Sequence, residues 1–374
     1  MGESRAAIRG GGMATIYDVA RLANVSAKTV SRVLNEDGPV GPRTRQAVQE
    51  AIAQLGYVPS NAARMMRSNR SGLVGLITGA ITAAQEPTHP AGLPDLLIVQ
   101  GIQRVMADQD MTLMVADTGG RADRIPRLVR TFLEHRAEGL IYVADYHQRV
   151  RLPPVAGSTP LVLANCFDDA GTPAVLPDDR RGQHDLVARI AAAGHRRIAY
   201  LTLREDMVAT SLRSLGYRDA LAEAGLPFDP RLVQVAYLSD GEEDSRILVE
   251  AIDRLLELPD PPTVLCCGND AMAMRVYGIL RSRGVRVPED MSVAGYDNHR
   301  IIAETLYPPL TTVELPYRDM GQRAAERLLA CISGQGRDEP TPTLVSGPVL
   351  WRASVTDRPA ANPRHISFNG RSEP

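Results

Sequence analysis

The apolar positions between residues 15 and 57 recur with a helical period in three short runs. Thr15 and Ser26 stand where the first two runs begin, and both residue types cap helix N-termini well. Pro42 opens the third run and Gly56 follows its end, the usual order of helix start and stop residues. The pattern predicts three short helices, and the short first turn at 24–26 matches helix-turn-helix geometry. The apolar positions are Ile16, Val19, Ala20 and Ala23, then Val30, Val33 and Leu34, then Ala47, Val48, Ala51, Ile52 and Leu55.

Residues 72–356 alternate between short apolar runs and amphipathic helical stretches. That alternation is typical of parallel sheets whose strands are joined by helical crossovers. Because roughly 280 residues is long for one open sheet, we expect a body of two α/β subdomains. The predicted strands lie at 73–77, 112–116, 139–143, 161–163, 198–201, 232–235, 263–266 and 292–294.

The segments around these two regions differ from them in composition. Residues 1–14 are Gly-rich and predict a disordered tail, within which Met13 could be the true start. Residues 15–58 form the predicted helical head, and residues 59–71 link it to the body. Residues 357–374 form a polar, Pro-containing tail without the leucine heptads of a tetramerising coiled coil.

Composition excludes several classes of protein. The 374 residues are 44% apolar and 23% charged, and no run approaches the ~18–20 apolar residues of a membrane helix. The four cysteines form no CxxC pair and the seven histidines no HExxH cluster, so we expect neither a metal site nor a disulfide framework. The N-terminal stretch has no apolar signal region. We therefore expect a protein of the reducing cytoplasm that uses no cofactor.

Charge is unevenly distributed, although the net charge is only −2. Residues 1–70 carry ten Lys and Arg against five Asp and Glu, so the rest of the chain is acidic. A basic head on an acidic body predicts a terminal module that binds a polyanion such as nucleic acid. In the second predicted helix, Lys28 and Arg32 lie one turn apart and share a face. Either side chain can donate to guanine O6 and N7 in the major groove.

Motifs along the chain are similar to those of one bacterial family. Residues 15–35 read TIYDVARLANVSAKTVSRVLN, and VGPRTRQAVQEAIAQLGYVPSNAARMMRS follows. The body adds AGHRRIAYL, LRSLGYRDALAEAGL, GNDAMAM, GVRVPEDMSVAGYDN and PPLTTVELPYRDMG in that order. Together these motifs resemble the lactose-repressor (LacI/GalR) family of transcription regulators over nearly all of residues 15–356. The resemblance implies a periplasmic-binding-protein-like body behind the head.

The resemblance also implies which residues of the head bind DNA. It places base reading at Ala27, Lys28 and Arg32, where Ala27 is small enough only to touch a thymine methyl group. Other contacts go to phosphates, which position the head without reading the sequence. The residues assigned to phosphate contacts are Thr15, Ser26, Ser31, Asn35 and Arg45.

The segment 59–68 matches the hinge helix of the family. Alone it is too short to be stable in water, and the resemblance implies that it orders on operator DNA, paired with its dimer mate in the minor groove. Ala63 and Met66 are its expected contacts, with Met66 as the wedge where the family usually has Leu. In the alternative interpretation the segment is a simple linker whose methionines pack on the body.

The body shows no nucleophile elbow, phosphate loop or carboxylate pair with a base, so we do not expect an enzyme. A two-subdomain α/β body places a ligand in the cleft at the carboxyl ends of its strands. The low aromatic content favours a sugar or polyol, but an Arg and an Asp alone do not distinguish a sugar from a nucleobase. Each matched position could also be an ordinary cleft-rim residue. The resemblance places effector contacts at Asn165, Arg213, Asn269 and Asp297, with Leu238 and Tyr317 at aromatic pocket positions.

Two functions remain open from the sequence. The first is an operator-binding repressor, a homodimer on a pseudo-palindromic site that a small sugar-like effector releases rather than recruits. The second is a solute receptor without DNA binding, since such bodies resemble sugar-binding proteins. The basic head favours the first function. We also expect the substitution Arg213→Ala to leave the protein folded but unresponsive to its effector.

Overall fold

The computed structural model describes residues 14–58, 70–79, 93–154, 159–237, 242–335 and 342–358, apart from the side chains of 93–95 and 242–244. The chain divides into two compact units, Met1–Ser71 and Gly72–Pro374. We describe each unit by itself.

The first unit contains the three helices that the apolar pattern predicts: α1 (Ile16–Leu22), α2 (Ala27–Leu34) and α3 (Pro42–Leu55). Their inward faces meet in one small apolar core, which holds the three helices against each other. The buried members of that core are Val19, Ala20, Val30, Val33, Val48, Ala51 and Tyr57.

Local signals set the ends of these helices. The hydroxyl and the backbone N–H of Thr15 donate to Asp18 Oδ2 at 2.6 and 3.0 Å. Ser26 Oγ accepts the backbone N–H of Thr29 at 3.1 Å, which caps α2. Gly56 ends α3 with a φ of +58°, in the left-handed region that glycine enters without strain. The predicted caps are therefore confirmed.

The second unit contains two six-stranded sheets. The N-terminal sheet is entirely parallel, with the order β11-β5-β4-β3-β1-β2. Its strands are β1 (Leu73–Thr78), β2 (Thr112–Asp117), β3 (Gly139–Arg149), β4 (Leu161–Phe167), β5 (Ala174–Pro177) and β11 (Thr343–Val345). The helices that accompany it are α4 (Leu93–Asp108), α5 (Ile125–Glu134) and α11 (Tyr317–Ile332).

The C-terminal sheet has the order β12-β10-β9-β8-β6-β7 and is parallel except for β12, which runs antiparallel to β10. Its strands are β6 (Ile198–Thr202), β7 (Val233–Val235), β8 (Val264–Cys267), β9 (Ser292–Asp297), β10 (Thr311–Glu314) and β12 (Val349–Leu350). Its helices are α6 (Asp179–Ala192), α7 (Val208–Glu223), α8 (Glu242–Leu256), α9 (Asp270–Ser282) and α10 (Arg300–Thr305). The α/β architecture with parallel sheets agrees with the sequence-based expectation.

All eight predicted strands are present, with shifted ends. The largest shift is in β3, which continues past Val143 to Arg149 after an irregularity in its register with β4. The prediction missed β5, β10, β11 and β12, which have only two to four residues each. Shortness alone does not explain this, since β7 and β8 are equally short and were predicted.

The chain passes between the two sheets three times: after β5, after β10 and between β11 and β12. These crossings contact one another. Ser346 Oγ lies 3.3 Å from Asp178 Oδ2, and the N–H of Glu314 donates to the carbonyl oxygen of Pro348 at 3.0 Å. The third crossing therefore contacts both of the others, so the three crossings lie side by side.

Glycine allows two helices of the C-terminal subdomain to pack closely. A Cβ atom built at Gly216 in α7 would overlap the carbonyl oxygen of Arg180 in α6. A Cβ atom at Gly182 in α6 would likewise overlap the hydroxyl of Tyr296 in β9. This close packing brings the first turn of α6 to the middle of α7, where the candidate effector residues lie.

Candidate nucleic-acid interface and effector site

Helix α2 has one apolar and one cationic face. Val30 and Val33 are buried against the other helices, whereas Lys28 and Arg32 are exposed. Neither cation forms an ion pair within residues 14–58, in contrast to Arg21, which pairs with Asp18 at 3.2 Å. Two unpaired cations one turn apart on a helix can both reach groups in a DNA groove.

The residues assigned to phosphate contacts lie near helix ends, and some of their hydrogen-bond donors already bond to acceptors within the head. Both donors of Thr15 are bonded to Asp18, so a phosphate would have to replace one of these bonds. Ser26 caps α2, and the Asn35 amide donates to the carbonyl oxygen of Ser31. Arg45, in the first turns of α3, is half-buried. Ala27, the third base-reading candidate, is also half-buried.

Three predicted site residues lie outside the described residues. They are Ala63 and Met66 of the hinge segment and Leu238 of the effector site. Their roles stay predictions.

Arg213 is a central residue of the effector site. It lies on α7 with only 4% of its surface exposed. Its Nε donates to Asp179 Oδ1 at 2.7 Å, and its Nη1 donates to the carbonyl oxygen of Gly268 at 2.7 Å. The guanidinium carbon lies 3.6 Å from the ring centre of Tyr296, a cation–π arrangement. Three elements of the C-terminal subdomain thus hold this side chain in one place.

Asp179 connects Arg213 to a third side chain. It is the first residue of α6, directly after the first chain crossing, and is fully buried. His147 Nδ1, from the extension of β3, donates to Asp179 Oδ2 at 2.8 Å. Burial disfavours the charged form, but the Arg213 guanidinium and the His147 hydrogen bond outweigh it, so the pKa of Asp179 lies below its usual value. Asp179 is therefore a buried carboxylate that neutralises Arg213.

Two more carboxyl groups lie at the ends of β8 and β9. Asp270 begins α9 and accepts the Thr312 hydroxyl at 2.6 Å and the His299 N–H at 2.7 Å. Asp297 ends β9 with a φ of +117°, a backbone conformation that is costly for a residue with a side chain. Burial raises the pKa of Asp270 to about 7. Burial, and then the Asp270 carboxyl, raise the pKa of Asp297 well above its usual value.

The remaining predicted contacts have structural roles as well. Asn269 caps α9 by accepting the Met272 N–H at 2.7 Å. Asn165, with a φ of +60°, donates to the carbonyl oxygen of Ala144 at 3.0 Å and is 1% exposed. Tyr317 begins α11 at the second chain crossing and packs against the cores of both subdomains.

The structure thus brings together only part of the predicted set. Arg213 and Asp297 interact electrostatically, and Asn269 lies in sequence between the Gly268 carbonyl and Asp270. Asn165 belongs to the other sheet, and no hydrogen bond between described residues joins it to Arg213. The structure adds a stability effect to the expected loss of effector response in Arg213→Ala, since that change would leave Asp179 buried without its cation.

Sequence reasoning missed four residues of the cluster: His147, Asp179, Tyr296 and Asp270. Asp270 stands inside the GNDAMAM motif and Tyr296 inside GYDN, so the motifs themselves held a signal. His147 had none, because it reaches the site only through the unpredicted extension of β3. Asp179 pairs with a residue 34 positions away, which no local pattern shows.

Other kinds of site are not found in the part of the chain that the structure describes. No group of three or more His, Cys, Asp or Glu side chains is placed to hold a metal ion. Of the helices in that part, none is long and apolar enough to cross a membrane.

Family models match both units. Residues 15–60 match "Bacterial regulatory proteins, lacI family", and residues 187–355 match "Periplasmic binding protein-like domain". The sucrose operon repressor of Escherichia coli is 33% identical over 345 residues, which cover 92% of this chain and all of that relative.

Solved structures of transcription regulators resemble most of the chain as well. The Lac repressor dimer bound to operator and the anti-inducer ONPF gives a TM-score of 0.71 at 25% identity, covering 92% of this chain and 99% of that one. The complex of the transcriptional regulator CelR with cellobiose gives a TM-score of 0.60 at 30% identity, covering 91% of this chain and 99% of that one.

Proposed function

Because this chain belongs to the lacI family of bacterial regulatory proteins and is a DNA-binding transcription regulator, we propose that it represses transcription from a pseudo-palindromic operator and that a small sugar-like effector releases it. The relatives reported above are repressors and regulators rather than enzymes. We propose that the protein works on DNA in the bacterial cytoplasm. The match of the head to the lacI-family model, and of 92% of the chain to a repressor, leaves the receptor without DNA binding unsupported.

The cationic face of α2 carries the proposal. Lys28 and Arg32 are exposed without an ion pair in residues 14–58, while Val30 and Val33 anchor the opposite face. A helix held in this way can enter the major groove with both cations directed at base edges. We assign base reading to Lys28, Arg32 and the small Ala27.

We propose that the protein acts as a homodimer. One helix-turn-helix head makes few base contacts, so two heads are needed for useful specificity. The two recognition helices then contact half-sites about 10 bp apart or a close variant of that spacing. The hinge segment 59–68, with Ala63 and Met66, is assigned to the minor groove between the half-sites.

We propose that the effector binds in the cleft of the body, at the cluster of Arg213, Asp297 and Asn269. A structural relative bound to cellobiose supports a sugar-like compound. The effector must bind one arrangement of the two subdomains better than the other, since otherwise it shifts no equilibrium. Rotation about the three chain crossings would move the hinge segments of a dimer apart and release the operator.

Selection from random duplexes, followed by footprinting, tests the DNA-binding part. We expect an inverted repeat, protected by a dimer, whose specific binding weakens steeply with salt. Protection of one unrepeated half-site by a monomer would contradict the dimer.

A thermal-shift screen of sugars, sugar acids and nucleobases tests the effector part, and each hit is then added to the operator complex. We expect a sugar to lower operator affinity. Asp297→Asn keeps the shape of the side chain, so this variant should bind operator normally and need more sugar for release. Release at unchanged sugar concentration would remove Asp297 from the site.

A further inference from the structure

The charge of Arg213 is already compensated inside the protein. Its Nε lies 2.7 Å from a carboxylate oxygen of Asp179, and both side chains are almost fully buried. Nη1 is occupied by the Gly268 carbonyl, and one face of the guanidinium lies on Tyr296. A ligand that meets this arginine therefore meets a hydrogen-bond donor with little net charge, in contrast to an arginine that binds phosphate through an unpaired fork.

Two further carboxyl groups and one further guanidinium group lie around the cluster. Asp270 and Asp297 interact with each other, and Asp297 also interacts with Asp179. The further cation that acts on Asp270 is Arg352. That guanidinium donates to the Leu310 carbonyl and to Asn298 Oδ1, both at 2.8 Å. Both guanidinium groups are thus already hydrogen-bonded within the protein, and Asp179 is the carboxyl group of the cluster that burial does not neutralise.

An anion entering this environment would meet the Asp179 carboxylate without an unpaired cation to receive it. Like charges brought together in a protein site oppose binding.

We propose that Asp179 sets the charge selectivity of the effector site, so that the effector is an uncharged polyhydroxy compound and phosphorylated or carboxylated sugars are rejected. This inference rests on the proposed function and names the effector class of the same site. It makes Asp179 a specificity-determining residue, because its carboxylate compensates the Arg213 charge and leaves the guanidinium as a hydrogen-bond donor for hydroxyl groups.

The first test uses inorganic phosphate as the probe, and thermal melting of the full-length protein as the measurement. Asp179→Asn keeps the size of the side chain but leaves the Arg213 charge uncompensated. We expect phosphate to raise the melting temperature of Asp179→Asn, relative to sodium chloride at equal ionic strength, and to leave the wild type unchanged. Equal stabilisation of both proteins, or none in a folded Asp179→Asn, would overturn the proposal.

The second test uses the wild type alone, so it can test the charge selectivity even if Asp179→Asn does not fold. Glucose, fructose and sucrose are compared with glucose 6-phosphate, fructose 6-phosphate and gluconate by calorimetry. We expect a neutral sugar to bind, and its charged counterpart to bind about 100-fold more weakly. Tighter binding of a charged compound, or binding by none of the neutral sugars, would overturn the proposal.

Operator binding separates this inference from the function on which it rests. Specific binding to the selected operator, measured without any added compound, tests the repressor. If fructose 6-phosphate released that operator, the repressor function would stand and the charge selectivity would be wrong.

Discussion

The substitution Arg213→Ala should destabilise the body strongly, in addition to any loss of effector binding. Arg213 is 4% exposed, and its carboxylate partner Asp179 is fully buried. The substitution removes the cation and the donor to the Gly268 carbonyl, and leaves the Asp179 charge in place. A buried carboxylate without its partner is the main cost of such a change.

The expected loss follows from that burial. Removing one partner of a buried ion pair costs about 3–5 kcal/mol. At about 2–4 °C per kcal/mol for domains of 150–250 residues, the melting temperature should fall by roughly 6–20 °C. Because His147 still donates to Asp179, we expect a value toward the lower end of this range.

The control is an ion pair of equal length on the surface. Arg180 Nε lies 2.7 Å from Asp219 Oδ2, but these side chains are 55% and 36% exposed. Arg180→Ala should therefore cost much less stability than Arg213→Ala, because solvent screens this pair. Urea denaturation of wild type and both variants measures the two losses side by side.

Two further results distinguish the buried charge from a general packing defect. Adding Asp179→Asn to Arg213→Ala should recover part of the lost stability, because no uncompensated charge then stays buried. In Arg213→Ala alone, the loss should shrink as the pH falls, since burial raises the pKa of Asp179 once the guanidinium is gone. A loss equal to that of Arg180→Ala, with no rescue, would refute the reasoning.

Three other predictions concern the head, the pH dependence of stability and the packing of helices. Lys28→Ala should cost roughly 1–3 kcal/mol of discrimination between operator and random DNA, whereas Arg45→Ala should weaken both similarly and reduce the salt slope, as fluorescence anisotropy would show. An unchanged ratio in Lys28→Ala would contradict base reading. Burial lowers the pKa of His195 from 6.5 to about 4. The contribution of neutral His195 to the free energy of unfolding should therefore be complete above pH 6.5, and about 3 kcal/mol should be lost as the pH falls through about 4. In urea denaturation at several pH values, His195→Gln should show a smaller loss. Gly216→Ala should destabilise by about 1–3 kcal/mol through overlap with a helix carbonyl. Gly278→Ala is the control, since nothing lies within 4 Å of the added methyl group, and it should be neutral or stabilising. Thermal melting of both variants measures the difference.

Local physics explains how much of the fold could be predicted. The helices of the head begin and end at Thr15, Ser26 and Gly56 because capping and left-handed glycine conformations depend on neighbouring residues alone. The alternation of strands and helices in the body was visible for the same reason. The strands β10 and β12 were missed because their extended form depends on pairing between segments far apart along the chain, which no local pattern shows.

In the candidate site, too, local features could be predicted from the sequence and long-range contacts could not. Motifs pointed to Arg213 and Asp297, and helical spacing placed Lys28 and Arg32 on one face. Whether Arg213 presents a charge could not be predicted from its motif, because that depends on a carboxylate on another helix. Asp179 is 34 positions away along the chain and 2.7 Å away in space.

The sequence by itself determined which local elements form and which side chains bear the chemistry, because capping, periodicity and charge spacing act over a few residues. Only the tertiary structure decided which of these charged groups are buried in ion pairs and which are exposed. Electrostatic interaction and desolvation depend on distance and burial in three dimensions. They make Arg213 a neutralised donor beside Asp179 and leave Lys28 an exposed cation, although the sequence presents both simply as basic residues on helices.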